Sequence, residues 1–178
     1  MATKVLVRAP DVARAPGYGN APANGVAAGR FKGPGGRFRG TYGPTETITC
    51  DGKPGYALSI KDGSVVLETT DSSNLNQKWD KDESWGDGFA IVNEATGQAI
   101  QRPPEGAGHR LLLVTYSTTK RDNSVMWRQD NPKSCPIREH DDANLVFDIM
   151  QRGPDTLAIV SNVSTASTQK WTMTESST

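Results

Sequence analysis

At 178 residues, 35% hydrophobic and formally uncharged at pH 7, the chain suits one domain of moderate core size with a tail, and its net charge names no partner. No apolar run approaches the roughly 20 residues of a membrane helix, so no membrane partner is expected. With two cysteines, Cys50 and Cys135, and no apolar leader at the N-terminus, a reducing compartment and two free thiols are expected, although spacing alone leaves a pairing open.

Residues 1–44 carry seven Lys/Arg and one acid, a local charge of +6, which leaves −6 for the remainder of a neutral chain. They also hold nine of the 18 glycines and five of the 11 prolines. Such a composition buries too little apolar surface to offset its ordering entropy, so 1–44 is read as a disordered tail. Its start, Met1 to Pro16, is loosely like a transit peptide but lacks the serine content. Within 29–40, Arg, Gly and Phe are mixed. A solvated linker and a weak RNA contact both fit that texture.

From Thr45 onward, short β-branched runs alternate with turns. Tyr56–Ile60 and Val65–Leu67 flank Asp62-Gly63, a strong hairpin signal. Phe89–Asn93, Gln98–Ile100 and Leu111–Val114 follow, then Asn144–Ile149 and Leu157–Val160. No segment sustains a helical period, which predicts an all-β domain over 45–175 with about a dozen strands.

Trp79, Trp127 and Trp171 recur at intervals of 48 (127−79) and 44 (171−127) residues. Gln77-Lys78-Trp79 and Gln169-Lys170-Trp171 are the same tripeptide, and Val125-Met126-Trp127 is a worn copy. A fixed period means repeated units. Three units of about four strands predict a β-trefoil of Gln-x-Trp type, with each Trp in the shared centre and each Gln holding loop backbone groups. A β-sandwich needs no threefold spacing and is the rival.

These tripeptides resemble the Gln-x-Trp repeats of ricin B-like lectins. The segment Phe89-Ala90-Ile91-Val92-Asn93-Glu94-Ala95-Thr96-Gly97-Gln98-Ala99-Ile100 is similar to one plant branch, the Euonymus-lectin-related (EUL) family. Asp122–Trp127 and Ser59–Leu67 are similar to it as well. The resemblance implies a β-trefoil, binding of mannose- or galactose-containing glycans, no enzymatic activity and no cofactor, and a location in nucleus and cytoplasm. It places the sugar site in the third unit, with Asp148 as the carboxylate and Gln169 as the amide. Gln77, Trp79, Trp127 and Trp171 take structural roles. The ring positions of that site are Ser161 and Val163, and the Asn before the Gln is Thr168, so the third-repeat site is read as degenerate. In unit one Ser59 stands for the carboxylate, Leu67 or Thr69 lies near the ring position, and Asn76 keeps the amide. In unit two Ala99 stands for the carboxylate, and Tyr116 reads as a plain rim tyrosine, with stacking on a ligand as the alternative.

Other chemistry is thinner. Glu139-His140-Asp141-Asp142 reads as a solvated loop rather than a metal site, since successive strand residues point to opposite faces. Cys50, Cys135 and a histidine lack zinc-site spacing. No motif orders Ser, His and Asp for hydrolysis. The expected function is a non-catalytic lectin. The alternative is a trefoil that has lost sugar binding and serves as a protein-interaction module.

Overall fold

The computed structural model describes residues 31–32, 38–39 and 44–176. The reading of 1–44 as a disordered, RNA-contacting tail therefore falls almost wholly outside the described residues. Four of them form a short antiparallel pair, Phe31–Lys32 (β1) with Phe38–Arg39 (β2).

The remaining strands form one 12-stranded sheet, four strands to a unit. Unit one holds Glu46–Cys50 (β3), Tyr56–Lys61 (β4), Ser64–Thr69 (β5) and Trp79–Asp82 (β6). Unit two holds Phe89–Asn93 (β7), Gln98–Gln101 (β8), Leu112–Thr115 (β9) and Met126–Arg128 (β10). Unit three holds Arg138–Glu139 (β11), Leu145–Arg152 (β12), Asp155–Asn162 (β13) and Trp171–Glu175 (β14). No α-helix occurs among the described residues; the 3-10 turns Leu75–Gln77, Asn123–Val125 and Ser167–Gln169 each lead into a Trp-bearing strand.

The first and last strands of the units close a barrel. β14 pairs with β3, β3 with β6, β6 with β7, β7 with β10, and β10 with β11. The last seam is closed by a bridge between Cys135 and Trp171. Closure leaves the barrel strands no open edge. The hairpins β4–β5, β8–β9 and β12–β13 cover it. The expected Asp62-Gly63 turn is present, with φ of 49° and 73°, the left-handed pair that a two-residue hairpin turn requires. This is a β-trefoil, and the sandwich is excluded by the closed ring of pairings.

The core is organised by threefold repetition. Trp79, Trp127 and Trp171 are fully buried. Their indole N–H groups donate to the carbonyls of Leu58 (2.9 Å), Ile100 (3.0 Å) and Phe147 (3.2 Å). Each bond ties a barrel strand to the hairpin of its own unit and gives a buried donor its partner. Phe147 fills the space between two of the rings, edge-on to Trp127 at 4.6 Å and to Trp171 at 5.8 Å.

Both cysteines are free thiols. Trp171 pairs with Cys50 on one side and Cys135 on the other, so a barrel strand lies between them. Burial pushes the Cys50 thiol up to about 11, and its Sγ–H donates to the Thr168 carbonyl at 3.4 Å.

Candidate functional site in the third unit

The three indole acceptors fix which residues are equivalent: Leu58, Ile100 and Phe147, and therefore Ser59, Gln101 and Asp148 directly after them. Ser59 holds the expected carboxylate position of unit one. In unit two that position is Gln101, not Ala99, because the sequence lacks a landmark that fixes the register of β8. The hairpin pairings Leu58–Leu67 and Phe147–Val160 likewise match Ser161 to Glu68, rather than to Leu67 or Thr69.

In unit three, Asp148 and Gln169 come together. Gln169, on the 3-10 turn, is 2% exposed and uses its whole amide. Its Oε1 accepts from the Ser164 N–H (2.6 Å), and its Nε2 donates to the Asn162 carbonyl and to Asp148 Oδ2, both at 2.9 Å. The other carboxylate oxygen, Asp148 Oδ1, accepts from the Ile149 N–H at 2.8 Å. Asp148 is half-buried. A carboxylate oxygen accepts more than one hydrogen bond, so this held group retains acceptor capacity toward solvent. The loop is seated closely: Gly52 N–H donates to the Ser167 carbonyl at 3.1 Å, and a Cβ on Gly52 would lie 2.8 Å from the Thr168 backbone.

Gln77 makes the matching loop bonds in unit one. Its Oε1 accepts from the Asp71 N–H and its Nε2 donates to the Thr69 carbonyl, both at 2.9 Å. Among the described residues no carboxylate joins it. Ser59 Oγ instead donates to Glu68 Oε2 across the hairpin at 2.5 Å. In unit two, Val125 has no amide, and the contact runs from the strand side: Gln101 Nε2 donates to Ser124 Oγ at 2.8 Å. Sequence reasoning missed Gln101, whose role shows only when its distance from the Ile100 carbonyl in the repeat is counted.

Tyr116 is not a rim tyrosine. It is 7% exposed, donates its hydroxyl to Asp82 Oδ2 at 2.7 Å and accepts from Trp85 Nε1 at 3.0 Å. It borders a groove of about 620 Å³ with Val114, Lys120 and Asp122, beside the Asn123–Val125 turn that corresponds to Ser167–Gln169 of unit three.

The reading of 139–142 as a solvated loop needs correction at Glu139, which is 1% exposed, with Arg102 Nη1 at 2.9 Å from its Oε1. Burial raises the Glu139 carboxyl above its ordinary value, with Arg102 opposing. His140 lies between Asp87 and Asp141, at 3.2 and 2.6 Å. Alternation along the short strand sends these neighbours to different partners. Among the described residues no cluster of His, Cys, Asp or Glu is arranged to hold a metal ion.

No family model matches the chain. It is 33% identical over 123 residues to the ricin B-like lectin R40G3 of Oryza sativa subsp. japonica, a match that spans 64% of this chain and 60% of the rice protein. It is 38% identical over 94 residues to the ricin B-like lectin EULS3 of Arabidopsis thaliana, spanning 48% of this chain and 29% of that protein. Among solved structures, the designed threefold-symmetric protein ThreeFoil superposes with a TM-score of 0.61 at 15% identity, covering 74% of this chain and 98% of its own. The C-half of an earthworm R-type lectin in complex with GalNAc superposes with a TM-score of 0.55 at 16% identity, covering 76% of this chain and 100% of its own. Sequence kinship and fold agree: the domain is a β-trefoil similar to the ricin B-like lectins.

Proposed function

We propose that the domain is a non-catalytic carbohydrate-binding module that takes mannose- or galactose-containing glycans at unit three, with Asp148 as the acceptor of sugar hydroxyls and Gln169 holding it in place. The observation that carries this reading is the Gln169 Nε2 to Asp148 Oδ2 bond of 2.9 Å. It holds a half-buried carboxylate where it can accept from two neighbouring sugar hydroxyls, and charge assistance strengthens such bonds. The relatives named as lectins and the GalNAc complex of the earthworm neighbour support it. Ser161 and Val163 offer no flat ring to the sugar, so the site is expected to bind weakly. Two free thiols agree with a location in nucleus and cytoplasm, which imaging of a tagged chain tests.

A glycan array probed with the full chain and with Asp148→Asn tests the site. The reading expects hits from the native chain that the variant loses. A blank array from a folded native chain favours the second reading, a protein-interaction module, which draws on those missing rings. For the basic segment 1–44 we propose a weak RNA contact. Its deletion should then remove salt-sensitive RNA binding and leave glycan binding unchanged.

A further inference from the structure

A second cleft, of about 360 Å³, lies where the hairpin tips meet and shares no residue with the Asp148 site. The turn of β4–β5 forms one wall and the turn of β12–β13 another; Arg110 closes a side. The walls are fixed. β5 and β13 pair directly, Val66 against Leu157, and these two side chains, packed against Ile159, make the apolar floor of the cleft. The tips are joined by Lys61 Nζ to Asp155 Oδ1 at 2.7 Å. The β12–β13 tip is braced within itself, by Thr156 Oγ1 donating to Gln151 Oε1 and Gln151 Nε2 donating to the Gly153 carbonyl, both at 2.8 Å. Arg110 is zipped to β13 through a bridge to Ile159, with Leu111 N–H donating to the Ala158 carbonyl at 3.0 Å.

Two guanidiniums in this cleft have nothing to do. Arg102 pairs with Glu139, Arg121 with Asp87, Arg128 donates to the Asp87 carbonyl, and Arg138 to that of Ala143. Arg110 and Arg152, by contrast, make no side-chain hydrogen bond or ion pair among the described residues, and both are exposed. They come from different units and reach the same cleft. Asp155 is already matched by Lys61, which leaves Asp62 as the one opposing carboxylate in the lining.

We propose that this cleft binds a phosphate monoester, its oxyanion held by Arg110 and Arg152 and its organic group resting over Val66 and Leu157. A guanidinium presents a planar fork that matches phosphate oxygens. A monoester carries about −1.5 to −2 charges near pH 7, which two uncommitted arginines match. The volume is in the range of small-ligand pockets and exceeds what a bare oxyanion needs.

The test is a titration of the ¹⁵N-labelled full chain with glucose 6-phosphate, inorganic phosphate and glucose, read at the Ser64, Arg110 and Gly153 amides. Glucose 6-phosphate is expected to shift these signals at lower concentration than inorganic phosphate, and glucose to leave them in place. Arg110→Gln and Arg152→Gln should each weaken binding roughly tenfold, as expected on losing a hydrogen bond to a charged group. Both residues are exposed and unpartnered, so both variants should keep the native melting temperature. Asp62→Asn should tighten binding, and Asp148→Asn should leave it unchanged, which separates this site from the proposed glycan site. Unshifted signals with both anions, or native affinity in both arginine variants, would overturn the assignment. Equal affinity for the ester and inorganic phosphate would overturn the role of the apolar floor and the monoester with it.

Discussion

Units one and three carry the same tripeptide and use its glutamine differently. Gln77 and Gln169 each stitch a loop N–H to a strand carbonyl, so both do the same architectural task. Only Gln169 reaches a carboxylate, Asp148. In unit one the carboxylate sits on the other hairpin strand, as Glu68, and is taken by Ser59. A repeat can therefore preserve its framework bond by bond while the residue that would touch a ligand changes. The Gln of a Gln-x-Trp motif reports the fold, and the residue it orients reports the site.

The largest effects should be indifferent to this contrast. Trp79→Ala and Trp171→Ala each remove a buried ring and leave a carbonyl unpaired, and should cost about 3–5 kcal/mol in urea unfolding. A large inequality between them would break the threefold account of the core. Gly52→Ala should act on unit three alone, since its Cβ would press on the Thr168 backbone. Overpacking of this kind costs about 1–3 kcal/mol, and it should weaken glycan binding as the Gln169 loop shifts. Gln77→Ala and Gln169→Ala both leave loop groups unsatisfied, at about 1–3 kcal/mol each. Only the second should also reduce glycan binding, and isothermal titration alongside thermal unfolding separates the two. Asp148→Asn should abolish binding with little change in melting temperature, whereas Ser59→Ala should leave binding intact.

The smallest effect concerns pH. Burial raises the Glu139 carboxyl above its ordinary 4.5 in the folded chain. The folded state therefore holds this proton more tightly than the unfolded state. Its contribution to stability is full below about pH 4.5 and is lost as pH rises through the raised value. Glu139→Gln should flatten that part of the stability profile measured by denaturant titration at successive pH values.

The sequence carries the framework because the framework is local and periodic. Asp62-Gly63 marks a turn within four residues, the β-branched runs mark strands, and the Trp spacing marks the units. What it hides are pairings that the barrel closure makes between distant residues. Tyr116 looks like a rim residue until Asp82 and Trp85 are brought to its hydroxyl. Glu139 looks solvated until Arg102 folds over it. The unit-two position of Gln101 is obscured because Val125 replaces the amide that would have set the register. The Asp148–Gln169 contact was open to sequence reasoning only through the family resemblance; no spacing rule brings residues 148 and 169 together.

The most direct test of the account is a ¹⁵N titration of the full chain with a glycan that it binds on the array. The account predicts movement of the Gln169 side-chain amide and the Ile149 and Ser164 N–H signals, with the Gln77 amide and the Asp71 N–H unmoved. Shifts centred on Gln77 and Asp71, or confined to neither glutamine, would contradict it.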